Sequence, residues 1–133
     1  MVLNLIFHHV GFAVADLNQS VSVFEHLGYK STGSFLDNVQ NIKIETLEKI
    51  DSPIIELIEP NGEKNPVDRF LINFKAITYH VAYLTKSFEE DIKKLRKQGF
   101  SPTTRILNAV AFNNRRFIFL YNDNTGFIEL LED

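Results

Sequence analysis

The sequence predicts an α+β protein built from two tandem βαβββ modules that pair into one curved mixed sheet. Three observations predict it. Two 21-residue segments align without a gap, "HVGFAVADLNQSVSVFEHLGY" from His9 and "HVAYLTKSFEEDIKKLRKQGF" from His80, at an offset of 71. The segments "IIELIEP" (54–60) and "FIELLED" (127–133) repeat at nearly that offset, Glu56 and Glu129 lying 73 apart. The chain has 133 residues, 44% of them hydrophobic, which suffices for one core. The whole of 1–133 is therefore expected to be a single domain, with module 1 over about 6–60 and module 2 over about 77–132.

The elements follow in order. The run "FHHVGFAV" (7–14) is apolar apart from His8 and His9, with β-branched Val10 and Val14 and aromatic Phe7 and Phe12, as a strand should be. Asp16 then stands at an N-cap position, and Leu17, Val21 and Phe24 are spaced to share one helix face. Gly28 stops that helix. Further strands include "NIKIETLEK" (41–49) and "IIELIEP" (54–60). A short linker helix is expected over about 65–74, where Asn65 caps and Pro66 takes the first helical position. The second module repeats the plan: a strand through His80, Ser87 as cap, Phe88, Ile92 and Leu95 on the buried face, and Gly99 as stop. The strands "RRFIFLY" (115–121) and "FIELLED" (127–133) close it.

Composition narrows the function classes. A net charge of −3 argues against nonspecific binding to nucleic acid or to an anionic membrane, since phosphate neutralisation needs a basic field. No apolar run has the length of a spanning helix and no signal-peptide layout is visible, so a cytoplasmic location is expected. Without cysteine there is no thiolate metal site and no cysteine nucleophile, so a metal would need His, carboxylate or amide ligands.

Alternation within the strands selects those ligands. In a strand, residues two apart share a face. Val10, Phe12 and Val14 suit packing under a helix, which leaves His9, Gly11 and Ala13 on the other side. The second copy sets His80 and Ala82 against Val81 and Tyr83. Small residues beside a histidine in both copies leave room for something above the sheet. Glu56 shares its face with Ile54 and Ile58, and Glu129 with Phe127 and Leu131. Each carboxylate would be costly to bury alone, and a cation removes that cost. The duplication thus supplies two histidines and two glutamates at equivalent positions. Brought together, they would hold one divalent metal ion such as Ni, Co, Zn, Mn or Fe. His8 is expected to be a solvent-exposed strand end. Glu59 and Glu132, on the opposite parity, are expected to be solvated, and His26 to serve the helix C-terminus.

The motifs "HHVGFAV…LGY", "IIELIEP", "YHVAY" and "GFIELLE" together resemble the vicinal oxygen chelate superfamily, which comprises glyoxalases, bleomycin-resistance proteins and dioxygenases. The similarity runs along nearly the whole chain, and its nearest pattern is the branch of methylmalonyl-CoA epimerase and short bacterial glyoxalase I. "NPVDRFL" (65–71) resembles a segment of the same branch. The resemblance implies a glyoxalase-like fold and places its four metal ligands on His9, Glu56, His80 and Glu129, those that parity had selected.

It also implies a metal-dependent isomerase or lyase that removes a proton next to a carbonyl, the enediolate's charge being stabilised by the metal. Glu129 is the first choice for a ligand that doubles as base, with Glu56 as its counterpart. The substrate would be a small thioester or hemithioacetal, and a homodimer is allowed. Two other outcomes stay open: a non-catalytic protein binding an antibiotic or metabolite, and an Fe(II) dioxygenase. The latter family uses two histidines and one carboxylate. One departure from the epimerases is Ile44, which stands where some of them carry a second glutamate; the neighbouring Glu45 faces the other way. Gln40 and Phe127 are candidates for substrate contact. Arg115 or Arg116 is a candidate for holding a CoA phosphate or a glutathione carboxylate.

Overall fold

A computed structural model describes residues 2–133. It divides into two compact units, one of His9–Tyr79 and the other of the segment up to His8 with His80–Asp133. The class is α+β, with parallel and antiparallel strand pairs and two helices.

In the first unit, β1 (Ile6–Val14, shared with the other unit) is followed by α1 (Leu17–His26), β2 (Lys30–Asp37), β3 (Ile42–Glu48) and β4 (Ile54–Pro60). The strands run β2-β3-β4-β1, with β1 parallel to β4 and the other pairs antiparallel. Val10, Phe12 and Val14 pack with Leu17, Val21 and Phe24 of α1 over Leu47, Ile55 and Leu57. These are the faces expected from the alternation. The start of α1 is held from two sides. Gln19 N donates to Asp16 Oδ1 at 3.1 Å, and Leu17 N donates to Glu59 Oε2 at 2.6 Å. Glu59 is therefore not a solvated strand end, because its carboxylate satisfies a helix donor that has no partner within the helix.

In the second unit, β5 (Ala76–Thr85, shared with the first) leads to α2 (Phe88–Lys97), then β6 (Ser101–Pro102), β7 (Leu107–Ala109), β8 (Arg115–Asn122) and β9 (Gly126–Glu132). The order is β5-β9-β8-β6, with β7 also paired to β8. Phe88 and Leu95 of α2 pack on Ile118, Leu120, Ile128 and Leu130. Burying each such side chain contributes about 1.5–3 kcal/mol. The module's second strand is broken into β6 and β7, and the reason is local. Pro102 offers no N–H to a ladder, and Thr103 and Thr104 instead bond the backbone of Phe119.

Both helices end as the glycines require. Gly28 and Gly99 have φ of +99° and +94°, the left-handed region that glycine enters without strain. The helical piece expected over 65–74 is smaller than that, a 3-10 turn at Asp68–Leu71. It begins at Asp68 with Val67, not Asn65, in the cap position, so Pro66 precedes it; Asn65 Oδ1 instead closes the turn leading in, accepting from Val67 N and Asp68 N at 3.0 and 2.9 Å. Among the described residues, no helix is long and apolar enough to cross a membrane.

Candidate functional site

Each unit carries one histidine–glutamate pair, and the same local arrangement produces both. In the first unit, Gly11 of β1 is the register partner of Glu56 on β4, and Thr46 of β3 faces Glu56 from the other side. Gly11 places no side chain beside the carboxylate. His9, two residues earlier on the same face, fills that room, and its Nε2 lies 3.3 Å from Glu56 Oε1. In the second unit, Ala82 of β5 is the partner of Glu129 on β9, and Phe119 of β8 faces it from the other side. His80 Nε2 lies 3.2 Å from Glu129 Oε1.

Burial sharpens the chemistry. His9 and Glu56 are 0% and 6% exposed, and His80 and Glu129 are 3% and 4% exposed. A carboxylate this deep loses its hydration, at several kcal/mol unless charge and hydrogen bonds replace it. Its apolar neighbours, among them Ile44 and Ile58 in one unit and Phe117 and Leu131 in the other, do not replace it. A bound cation would. His9 with Glu56 in the first unit, and His80 with Glu129 in the second, each offer an imidazole nitrogen and a carboxylate oxygen, donors that could hold a metal ion.

The two pairs are not identical. Phe119 meets the His80 ring edge to face, with centroids 4.9 Å apart at 84°, and Phe117 stacks on Phe119 at 5.7 Å. At the equivalent place in the first unit, Thr46 turns its hydroxyl to Thr32 Oγ1 at 3.0 Å. The aromatic support of His80 was missed from the sequence. The signal was available, since Phe119 shares a parity with Phe117 in a strand beside Glu129.

The other candidates fall out as follows. Phe127 lies on the face of Glu129, half-buried, its ring 4.9 Å from that of Tyr121. Gln40 lies in the β2–β3 turn, where its Nε2 donates to Asp37 Oδ2 at 2.9 Å; the turn accounts for it. Buried Asp37 also accepts from Val39 N and Gln40 N. Glu45 bonds Ser31 and Ser34, off the face of Glu56, whereas Ile44 is on that face.

Arg116 is fully engaged: Nε and Nη2 bond Glu132 at 3.0 and 2.6 Å, and its guanidinium covers the Phe88 ring. It also bonds Glu89 at 2.5 Å. Those hydrogen bonds hold the Glu89 and Glu132 carboxyls below their ordinary range. Glu132 is thus a clamp partner, not a solvated end. Arg115 alternates to the opposite face, with Phe117 and Phe119. His8 is half-buried with its ring against Phe112, 4.8 Å between centroids, which corrects its expected exposure.

Duplicated βαβββ units, each presenting a buried His–Glu pair on a sheet face, define a class of α+β proteins. The family model described as Glyoxalase/Bleomycin resistance protein/Dioxygenase superfamily matches residues 8–119, and the chain belongs to that superfamily. No curated protein matches the chain. Among solved structures, it is similar to methylmalonyl-CoA epimerase from Mycobacterium tuberculosis, with TM-score 0.85, 25% identity, and coverage of 99% of this chain and 91% of that one. A hypothetical protein from Bacillus halodurans C-125 is similar at TM-score 0.85 and 25% identity, covering 98% and 95%. A Streptomyces coelicolor methylmalonyl-CoA epimerase variant in complex with 2-nitronate-propionyl-CoA shares the fold at TM-score 0.84 and 20% identity, covering 98% and 99%.

Proposed function

We propose that this chain is a metal-dependent isomerase or lyase that removes a proton from a carbon next to a carbonyl and returns it, acting on a small thioester or hemithioacetal. In this reading His9, Glu56, His80 and Glu129 together hold one divalent ion, Ni, Co, Zn, Mn or Fe. The observation that carries it is the buried His–Glu pair, made twice by equivalent residues at 3.3 and 3.2 Å. The donor set fits: imidazole nitrogen with carboxylate oxygen suits borderline divalent metals. When bound, the ion supplies Lewis-acid stabilisation of negative charge on the substrate's oxygens.

The chain's own residues do the rest. Glu129 takes the proton from carbon and returns it, and Glu56 is its counterpart in the other module. Phe119 fixes the ring of His80 and so the direction from which it meets Glu129. The apolar neighbours of Glu129, Phe117 and Leu131, are buried with it and keep bulk water from the carboxylate. Ile44 stands where a second base would face Glu56, so the proton leaves and returns through the ligand glutamates. The likeness to the Mycobacterium tuberculosis epimerase supports an acyl-CoA thioester and isomerisation over lyase chemistry.

The test is Glu129→Gln assayed on acyl-CoA epimers and hemithioacetals, with metal content measured in the same samples. Retained metal with turnover lower by about 10²–10⁴-fold is expected for loss of a general base. Near-normal turnover would remove the assignment.

A further inference from the structure

We infer that Arg115 is the anchor for an anionic group that the substrate carries away from its reacting carbon, a phosphate or a carboxylate. This rests on the proposed reaction at Glu129. Adjacent arginines open β8, and alternation sends them to opposite faces. Arg116 goes to the α2 side, where two carboxylates and the Phe88 ring use it fully. Arg115 shares a face with Phe117 and Phe119, and Phe119 is the register partner of Glu129. It is half-buried. Among the described residues its guanidinium has no hydrogen bond, ion pair or ring contact. A half-buried arginine has given up part of its hydration, and a partner on this face would be expected to restore it.

Distance fixes the kind of ligand. Arg115 precedes Phe119 by four residues, so along the strand it stands about 13 Å from the place beside Glu129. An anion bound at that end of the strand lies away from the reacting carbon. It belongs to the far arm of the substrate, and the planar fork of guanidinium matches either a phosphate or a carboxylate bidentately. Leu107 and Ala109 of β7 lie against Phe117 and Arg115 and supply an apolar floor for that arm.

Binding measured by calorimetry tests this without relying on turnover. The probes are CoA (phosphates), S-methylglutathione (carboxylates) and pantetheine, which is uncharged. Wild type is expected to bind one anionic probe more tightly than pantetheine. Arg115→Ala should weaken that probe about ten- to hundred-fold and leave pantetheine unchanged, with Arg115→Lys recovering part of the loss. Which probe responds identifies the anion. Arg116→Ala, a change on the other face, should lower thermal stability and leave the affinity alone. The inference is overturned if Arg115→Ala binds both anionic probes as wild type does, or if wild type prefers neither over pantetheine. Metal content measured on the same variants keeps this result separate from the Glu129 reading, since Arg115→Ala should hold metal normally.

Discussion

At the scale of single residues, the smallest side chains in the two pairs are the most restrictive. Gly11 and Ala82 sit directly beside Glu56 and Glu129 in the parallel ladders, and their lack of bulk lets a histidine reach a carboxylate. Ala82→Leu should therefore separate His80 from Glu129 and weaken metal affinity at least ten-fold. Overpacking should add about 1–3 kcal/mol of destabilisation. Competition with a chelating dye reads the affinity, and urea unfolding reads the stability. These residues were legible in the sequence because duplication doubles every signal. A lone histidine in an apolar strand is ambiguous, but His9 and His80 with small residues two positions on, and Glu56 and Glu129 at a matching offset, are not. What stayed hidden was the identity of partners across strands. Neither Phe119 at His80 nor Glu59 at the start of α1 can be placed without the register of strands distant in sequence.

Among the elements, the two helices look equivalent in sequence yet begin differently. Asp16 accepts from Gln19 N, whereas the Ser87 side chain makes no cap bond; Thr85 Oγ1 accepts from Ser87 N instead, and donates to buried Asp91 at 2.5 Å. Asp16→Ala should cost about 1 kcal/mol in urea unfolding and Ser87→Ala close to nothing. In the cores under them, Leu57→Ala and Leu130→Ala should each cost 2–5 kcal/mol by the same measurement. The Arg116 clamp joins β8, β9 and α2, and its effect has a definite sign with pH. Glu89 and Glu132 are held below their ordinary value of 4.5 in the folded chain. Their contribution is therefore present above that value and is lost as pH falls through the lower folded values. Melting temperature should drop more steeply below about pH 4.5 in wild type than in Arg116→Ala. The difference should be small and shrink with salt, because the clamp is exposed. Element boundaries were read well where glycine or a cap marks them. The helix expected over 65–74 is only a turn at Asp68–Leu71, and β6 and β7 carry no strand pattern in the sequence because proline and threonine side chains interrupt the ladder there.

For the whole molecule, duplication has a thermodynamic consequence. In the proposed function each unit supplies one imidazole and one carboxylate to a single ion, whose binding would then tie the stability of both modules together. Metal at a hundred times its dissociation constant should stabilise the chain by about 2.7 kcal/mol, visible as a rise in melting temperature that a chelator reverses. The most direct test of the central claim is the metal content per chain, by elemental analysis of protein stripped and then reloaded with Ni, Co, Zn, Mn or Fe, beside His80→Ala treated identically. The proposed four-residue centre predicts one ion per chain in wild type and loss of that ion in the variant. No stoichiometric metal under any loading, or an ion retained by His80→Ala, would contradict it.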